Sequence, residues 1–175
     1  MNVNKLVKHY MPVNPSVTDA MVLPNYSGVD KTVRKDTDVR IKFNLDGGLM
    51  IKLINKTGVA SVKGSVVSSN TAVDNSFILQ ANEFDSIGVV YENGIADGEL
   101  CWIVIQGIAE VLFKDTVAVV RGYVALAADT NGRATNIDVP SSNPVVAEHF
   151  KEIGHVLESK NAGTNVLAKV VLHFN

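Results

Sequence analysis

The sequence predicts a mainly β domain, a compact barrel or sandwich, behind an extended N-terminal arm and with at most one short helix. Three observations predict it. From Val39 onward the chain breaks into short apolar runs separated by Gly-, Asn- and Asp-rich turns. Only 6% of residues are aromatic, while Val, Ala, Gly and Asn are abundant and Thr adds to them, a mixture of strand and turn formers. A helical period is confined to one stretch, residues 144–153. A chain of 175 residues suits one substantial domain with an appended segment and buries enough surface to fold without covalent staples.

Residues 1–42 form the predicted arm. Pro12, Pro15 and Pro24 forbid a long helix through it, and no period of 2 or 3.6 is sustained. Its many apolar residues, among them Leu6, Val7, Tyr10, Met11 and Val22, are too numerous for a solvated tail and predict that it lies on a surface. The net charge of −2 is unevenly divided. Residues 1–42 carry seven Lys/Arg against four acids, and residues 43–175 carry nine against fourteen, so a basic arm precedes an acidic body. Charges this dilute do not make a nucleic-acid tract, and no nucleic-acid partner is expected.

Residues 43–175 are the predicted β-rich domain. "VRIKFNL" and "LMIKLIN" flank Asp46-Gly47-Gly48 and read as a hairpin. The runs "SVVSS", "SFILQA", "IGVVYE", "LCWIVI", "IAEVLF", "AVVRGYVALAA" and "ATNIDV" follow, with Asn131-Gly132 supplying a turn. "PVVAEHFKEI", residues 144–153, is the one helical stretch, kept short by Gly154. In "LCWIVI" both strand faces are apolar, which requires cover on both sides, by core on one and by core, arm or a second subunit on the other. Gly107 interrupts the apolar text as a bulge or a point of close approach.

A weak internal repeat aligns Phe84, Ile87, Gly88 and Glu92 with Phe150, Ile153, Gly154 and Glu158, and Gly98 with Gly163 once one loop residue is skipped. Both copies read as strand, Gly-containing loop, strand, and predict two hairpins that cover each other as halves of one β-layer.

Candidate chemistry is sparse. Cys101 is the only cysteine, which excludes a disulfide within the chain and a cysteine-rich zinc site. Inside "LCWIVI" it reads as a small buried hydrophobe whose thiol pKa is raised. No Gly-x-Ser-x-Gly or Gly-x-Gly-x-x-Gly motif occurs, and "GVASVKGS" places Lys63 before Gly64, the wrong order for a phosphate loop. The cluster "EHFKEIGH" holds Glu148, His149, Glu152 and His155. On one helix Glu148, Glu152 and His155 would share a face, but Gly154 intervenes and the repeat puts His155 on a strand. It reads as a solvated polar face, so no metal, cofactor or catalytic residue is assigned. His173 reads as a strand or interface residue with no sequence-level partner. The N-terminus lacks the apolar core of a signal peptide, and no apolar run approaches the ~20 residues of a membrane helix. Synthesis in the cytoplasm without a membrane partner is expected, which leaves the sequons at Asn25 and Asn55 without meaning.

The order Ile87-Gly88-Val89, Asp97-Gly98-Glu99, Gly107-Ile108-Ala109-Glu110-Val111, Gly122 and Asn131-Gly132-Arg133 resembles the capsid decoration, or cement, proteins of tailed phages, the DUF2190-like virion family, over roughly residues 45–175. The resemblance implies a β-tulip or barrel-like domain on the outer capsid surface, commonly a homotrimer, with the major capsid protein as partner and no catalytic residue. It implies a virion structural protein that braces the head by bridging neighbouring capsid subunits. Charge matching between a basic arm and an acidic shell marks Lys5, Lys8, Tyr10, Lys31, Arg34 and Lys35 as expected contacts. A head-fibre base or a host-surface, glycan-binding adhesin is the structural alternative, favoured by an exposed aromatic cluster. An enzyme on a β-barrel would rest on Glu148 to His155 alone.

Overall fold

The protein is described by a computed structural model covering residues 40–81, 84–138 and 146–174. Residues 1–39, and with them most of the arm, lie outside the described residues. Ile41–Asn175 form one compact unit. Its strands are β1 (Ile41–Phe43), β2 (Leu49–Asn55), β3 (Val66–Ser69), β4 (Ser76–Leu79), β5 (Ser86–Val90), β6 (Leu100–Leu112), β7 (Val124–Ala127), β8 (Ala134–Ile137), β9 (Glu152–Val156) and β10 (Leu167–Leu172). Among the described residues there is one short helix, α1 (Val146–Lys151), which directly precedes β9. The mainly β expectation holds, and of the two architectures it allowed the barrel is the one formed.

The hairpin at Asp46-Gly47-Gly48 pairs Ile41 with Ile51 and Phe43 with Leu49. Asn44 locks its turn: Oδ1 accepts from Gly48 N at 2.6 Å and Nδ2 donates to the Ile108 carbonyl at 2.8 Å. Strand β2 then runs antiparallel to the first half of β6, and β4, β3 and β5 complete a closed five-stranded ring, β2-β4-β3-β5-β6. Only the β2–β4 contact is parallel. Closure leaves these strands no free edge over their paired lengths. A core of Val67, Phe77, Val90, Cys101 and Ile103 fills the ring.

The runs "LCWIVI" and "IAEVLF" are one 13-residue strand. Gly107 sits in its middle with φ +83°, where an added Cβ would lie 2.9 Å from the Gly47 carbonyl oxygen. It is therefore the expected point of close approach, where only glycine fits without displacing the hairpin turn.

Beyond Gly107 the pairing pattern starts again. The second half of β6 pairs with β10, Ile108 opposite Val171 and Val111 opposite Ala168, as β2 pairs with the first half, Met50 opposite Val104 and Leu53 opposite Cys101. Strand β7 pairs with β9 through Val124↔His155, Ala125↔Gly154 and Leu126↔Glu152, repeating Val66↔Val89, Val67↔Gly88 and Ser68↔Ser86 of β3 and β5. Each set contains one extra residue, Ile153 in β9 and Ile87 in β5, which is a β-bulge. Strand β8 pairs with β7 and returns to β6 by a parallel bridge, Phe113↔Ala134, as β4 returns to β2. The repeat thus spans whole rings, with β6 shared between them. This corrects the expectation of two hairpins covering each other: β5–β6 and β9–β10 each complete a ring of their own, because both copies use the same long strand as a wall.

Candidate functional site

The expected partner contacts Lys5, Lys8, Tyr10, Lys31, Arg34 and Lys35 all lie outside the described residues. Immediately after them comes β1, which among the described residues pairs only with β2. Its alternation is the reverse of a strand that turns its apolar side inward. Ile41 and Phe43 are 63% and 69% exposed, and Leu45 in the turn is fully exposed. Lys42 faces the protein instead, its Nζ 4.3 Å from the Trp102 ring centre, and Lys52 of β2 approaches the same ring at 4.9 Å. Two ammonium groups over one indole gain cation–π attraction while their stems cover its carbon surface. This settles how "LCWIVI" is covered: Cys101 and Ile103 face the ring core, and Trp102 lies beneath lysines of β1 and β2. Among the described residues nothing covers the apolar row on this sheet edge, a feature that natural sheets normally blunt.

Cys101 is fully buried and burial pushes its thiol up to about 11, with the Glu92 charge adding and a Ser61 hydrogen bond opposing. It stays a thiol at neutral pH, as its apolar surroundings in the sequence imply. Asn55, the residue of a sequon, is fully buried at the end of β2. Its Nδ2 donates to the carbonyls of Val59 and Ile95, both at 2.9 Å, and its Oδ1 accepts from Thr57 N and Oγ1. Asn55 fastens two loops together.

A groove of about 520 Å³ runs beside β3 and β5, lined by Ser68, Ser69, Phe84, Asp85 and Ser86 among others. Ser68 Oγ and Ser86 Oγ are buried without a hydrogen-bond partner among the described residues. Phe84 is half exposed at the groove, with Lys151 Nζ 5.4 Å from its ring centre.

The polar cluster is arranged otherwise than one helix would arrange it. Helix α1 ends at Lys151, so Glu148 and His149 are helical while Glu152 opens β9 and His155 follows within it. Three positions apart, Glu152 and His155 would point to opposite sheet faces, but the bulge at Ile153 restores them to one. His173, just beyond β10, donates its backbone N–H to the Ile153 carbonyl at 3.1 Å and arrives on the same face. His155 Nε2 and His173 Nε2 each lie 3.4 Å from Glu152 Oε1, their ring centres 5.0 Å apart, and His149 Nδ1 lies 3.5 Å from Glu152 Oε2. His173, partnerless in the sequence, joins a group in which Glu148 has no part. Neither a bulge nor the β9–β10 register is marked in local sequence.

No family model matches the chain, and no curated protein matches it. The likeness to capsid decoration proteins therefore rests on the residue pattern alone. Among solved structures the chain is similar to the head fiber gp8.5 N base of bacteriophage phi29, at a TM-score of 0.48 and 14% identity, over 71% of this chain and 94% of that one.

Proposed function

We propose that this chain is a structural, non-enzymatic protein of a tailed-phage virion that attaches to the outer surface of the head and bridges neighbouring major capsid subunits. The observation that carries the reading is the outward apolar row Ile41, Phe43 and Leu45, on an edge strand that directly continues the basic, apolar-rich arm. Covering three large apolar side chains is worth about 1.5–3 kcal/mol each, more than the ~0–1 kcal/mol of an exposed ion pair. The edge of β1, which has no second partner strand among the described residues, lets a capsid strand add to the sheet, while the arm's Lys5, Lys8, Lys31, Arg34 and Lys35 meet an acidic shell surface. Tyr10 supplies a further apolar contact. Assembly as a trimer at threefold positions would present three such edges to three capsid subunits.

The test is co-sedimentation of the full-length protein with mature capsids stripped of it, beside a form lacking residues 1–40 and an Ile41→Lys/Phe43→Lys double variant, with light scattering for mass. Saturable binding by the full-length protein, weakened in both variants, supports the reading. Absence of binding by the full-length protein overturns it.

The groove favours a second reading, a glycan-binding adhesin. The half-exposed Phe84, with Ser69, Thr71 and Asp85 also lining the groove, offers the apolar face and the polar surroundings that a sugar ring takes. A glycan array with a Phe84→Ala control separates it from the first.

A further inference from the structure

We propose that Glu152, His155 and His173 form a binding site for a divalent transition-metal ion of the zinc type. Two imidazoles and one carboxylate are a donor set that Zn²⁺, Co²⁺ and Ni²⁺ favour over Mg²⁺ and Ca²⁺, which prefer all-oxygen shells.

The spacing fits. A tetrahedral ion with ligand bonds of about 2.0–2.2 Å holds its donors about 3.4 Å apart. His155 Nε2 and His173 Nε2 each stand 3.4 Å from Glu152 Oε1, so two of the three edges of the ligand triangle are already at that length. One donor atom from each of the three residues lies within 4.8 Å of the others. The third edge, no longer than 4.8 Å, closes by rotation of two half-exposed rings about their side-chain bonds.

The backbone holds the donors more firmly than their exposure suggests. Glu152 and His155 are brought to one face by the bulge at Ile153, and Gly154 is seated against the Val171 carbonyl oxygen with φ +150°. His173 is tied to the same bulge through its N–H to the Ile153 carbonyl. Glu152 is the least exposed of the three, its side chain 15% accessible, and His149 Nδ1 stands 3.5 Å from its second oxygen, placed to orient the carboxylate.

The duplicated ring supplies an internal comparison. The positions equivalent to Glu152, His155 and His173 in the first copy are Ser86, Val89 and Gln106, on the same bulge and the same strand pairing. The scaffold alone does not require ligating side chains there, and only the second copy carries them. Three protein donors leave one or more coordination positions open on the surface, for water or for a donor from another molecule.

Untagged, chelator-stripped full-length protein is titrated with Zn²⁺ by calorimetry and with Co²⁺ by visible absorption. The expected result is saturable binding of one ion per chain and the d–d bands of a low-symmetry Co²⁺ site. His155→Ala and His173→Ala should each weaken Zn²⁺ binding by at least about tenfold, while the control His9→Ala, a histidine of the N-terminal arm to which the proposal gives no role, leaves it unchanged. Because both cluster histidines are half exposed, the variants should melt like the wild type in chelator, and that melt separates loss of the site from loss of the fold. The proposal is overturned by the absence of saturable binding in the wild type, by an octahedral aquo-like Co²⁺ spectrum, or by unchanged affinity in the two variants.

Discussion

Glu158 Oε1 accepts a hydrogen bond from the backbone N–H of Lys169 at 2.9 Å, and Glu92 Oε2 accepts one from the N–H of Trp102 at 3.1 Å in the corresponding place of the other ring. The repeated glutamate satisfies a backbone donor where the returning strand of each hairpin begins, and the neighbouring ladder bonds, Leu157 N to Lys169 O and Tyr91 N to Trp102 O, repeat with it. The glutamates of the sequence repeat are strand caps, and their carboxylates serve architecture.

The Lys169 N–H holds the Glu158 carboxyl below the usual carboxylate range, with Lys160 assisting. A folded pKa below the unfolded one contributes stability above the unfolded pKa that is lost as pH falls through the folded value. Glu158→Gln should therefore lower stability at neutral pH, where the ionised carboxylate contributes, and converge with the wild type at low pH, which flattens the acid side of the profile. Urea denaturation midpoints from neutrality down to about pH 3 test this, and identical acid slopes in wild type and variant would refute it.

Gly154→Ala should be among the costliest single-methyl changes in the chain. Its Cβ would run into the Val171 carbonyl oxygen and lie 3.0 Å from Leu172 Cα, at φ +150°. A loss of roughly 3 kcal/mol or more is expected. Gly94→Ala has a positive φ but open space around it, so about 1 kcal/mol should suffice. Thermal melts of the two variants should rank in that order.

Cys101 should be unreactive in the native protein. A thiol buried in the ring core and raised to about 11 presents no thiolate at neutral pH. Ellman's reagent should label no thiol in buffer and one per chain in denaturant, and stoichiometric native labelling would contradict the packing described.

Asn55→Ala should cost about 1–3 kcal/mol, because it removes four hydrogen bonds at a fully buried position and takes away the Thr57 N–H acceptor, although the Ile95 carbonyl keeps Ser61 N–H and the Val59 carbonyl keeps Thr57 Oγ1. Denaturation measurements on this variant beside Asn93→Ala, whose exposed side chain accepts a single long bond from Lys63 N, should separate the two clearly.

Trp102, the sole tryptophan, reports on β1. Removing Lys42 should take away about 0.5–1 kcal/mol of cation–π attraction and change the indole's fluorescence, which Lys160→Ala should leave alone.

Strand positions were legible because turn chemistry is local: Asp46-Gly47-Gly48 and Asn131-Gly132 mark their turns whatever they pack against. Gly107 was legible as close approach for the same reason. The extent of the duplication was not, since Leu49–Asn55 and Gly107–Phe113 keep strand character and pairing register but share almost no side chains. The orientation of β1 was hidden too, because alternation gives two faces and only Trp102 decides which one turns inward. The histidine group depends on one inserted residue, Ile153, and on a register between β9 and β10, and both are long-range facts.

Strand β6 belongs to both rings, and its two halves meet at Gly107 with no linker between them. Neither ring can come apart without stripping a wall from its twin, so this duplication fused two small barrels into one all-or-none folding unit. A force applied at β1 is passed through a continuous hydrogen-bonded beam to β10, which is the behaviour expected of a rivet rather than of beads on a string.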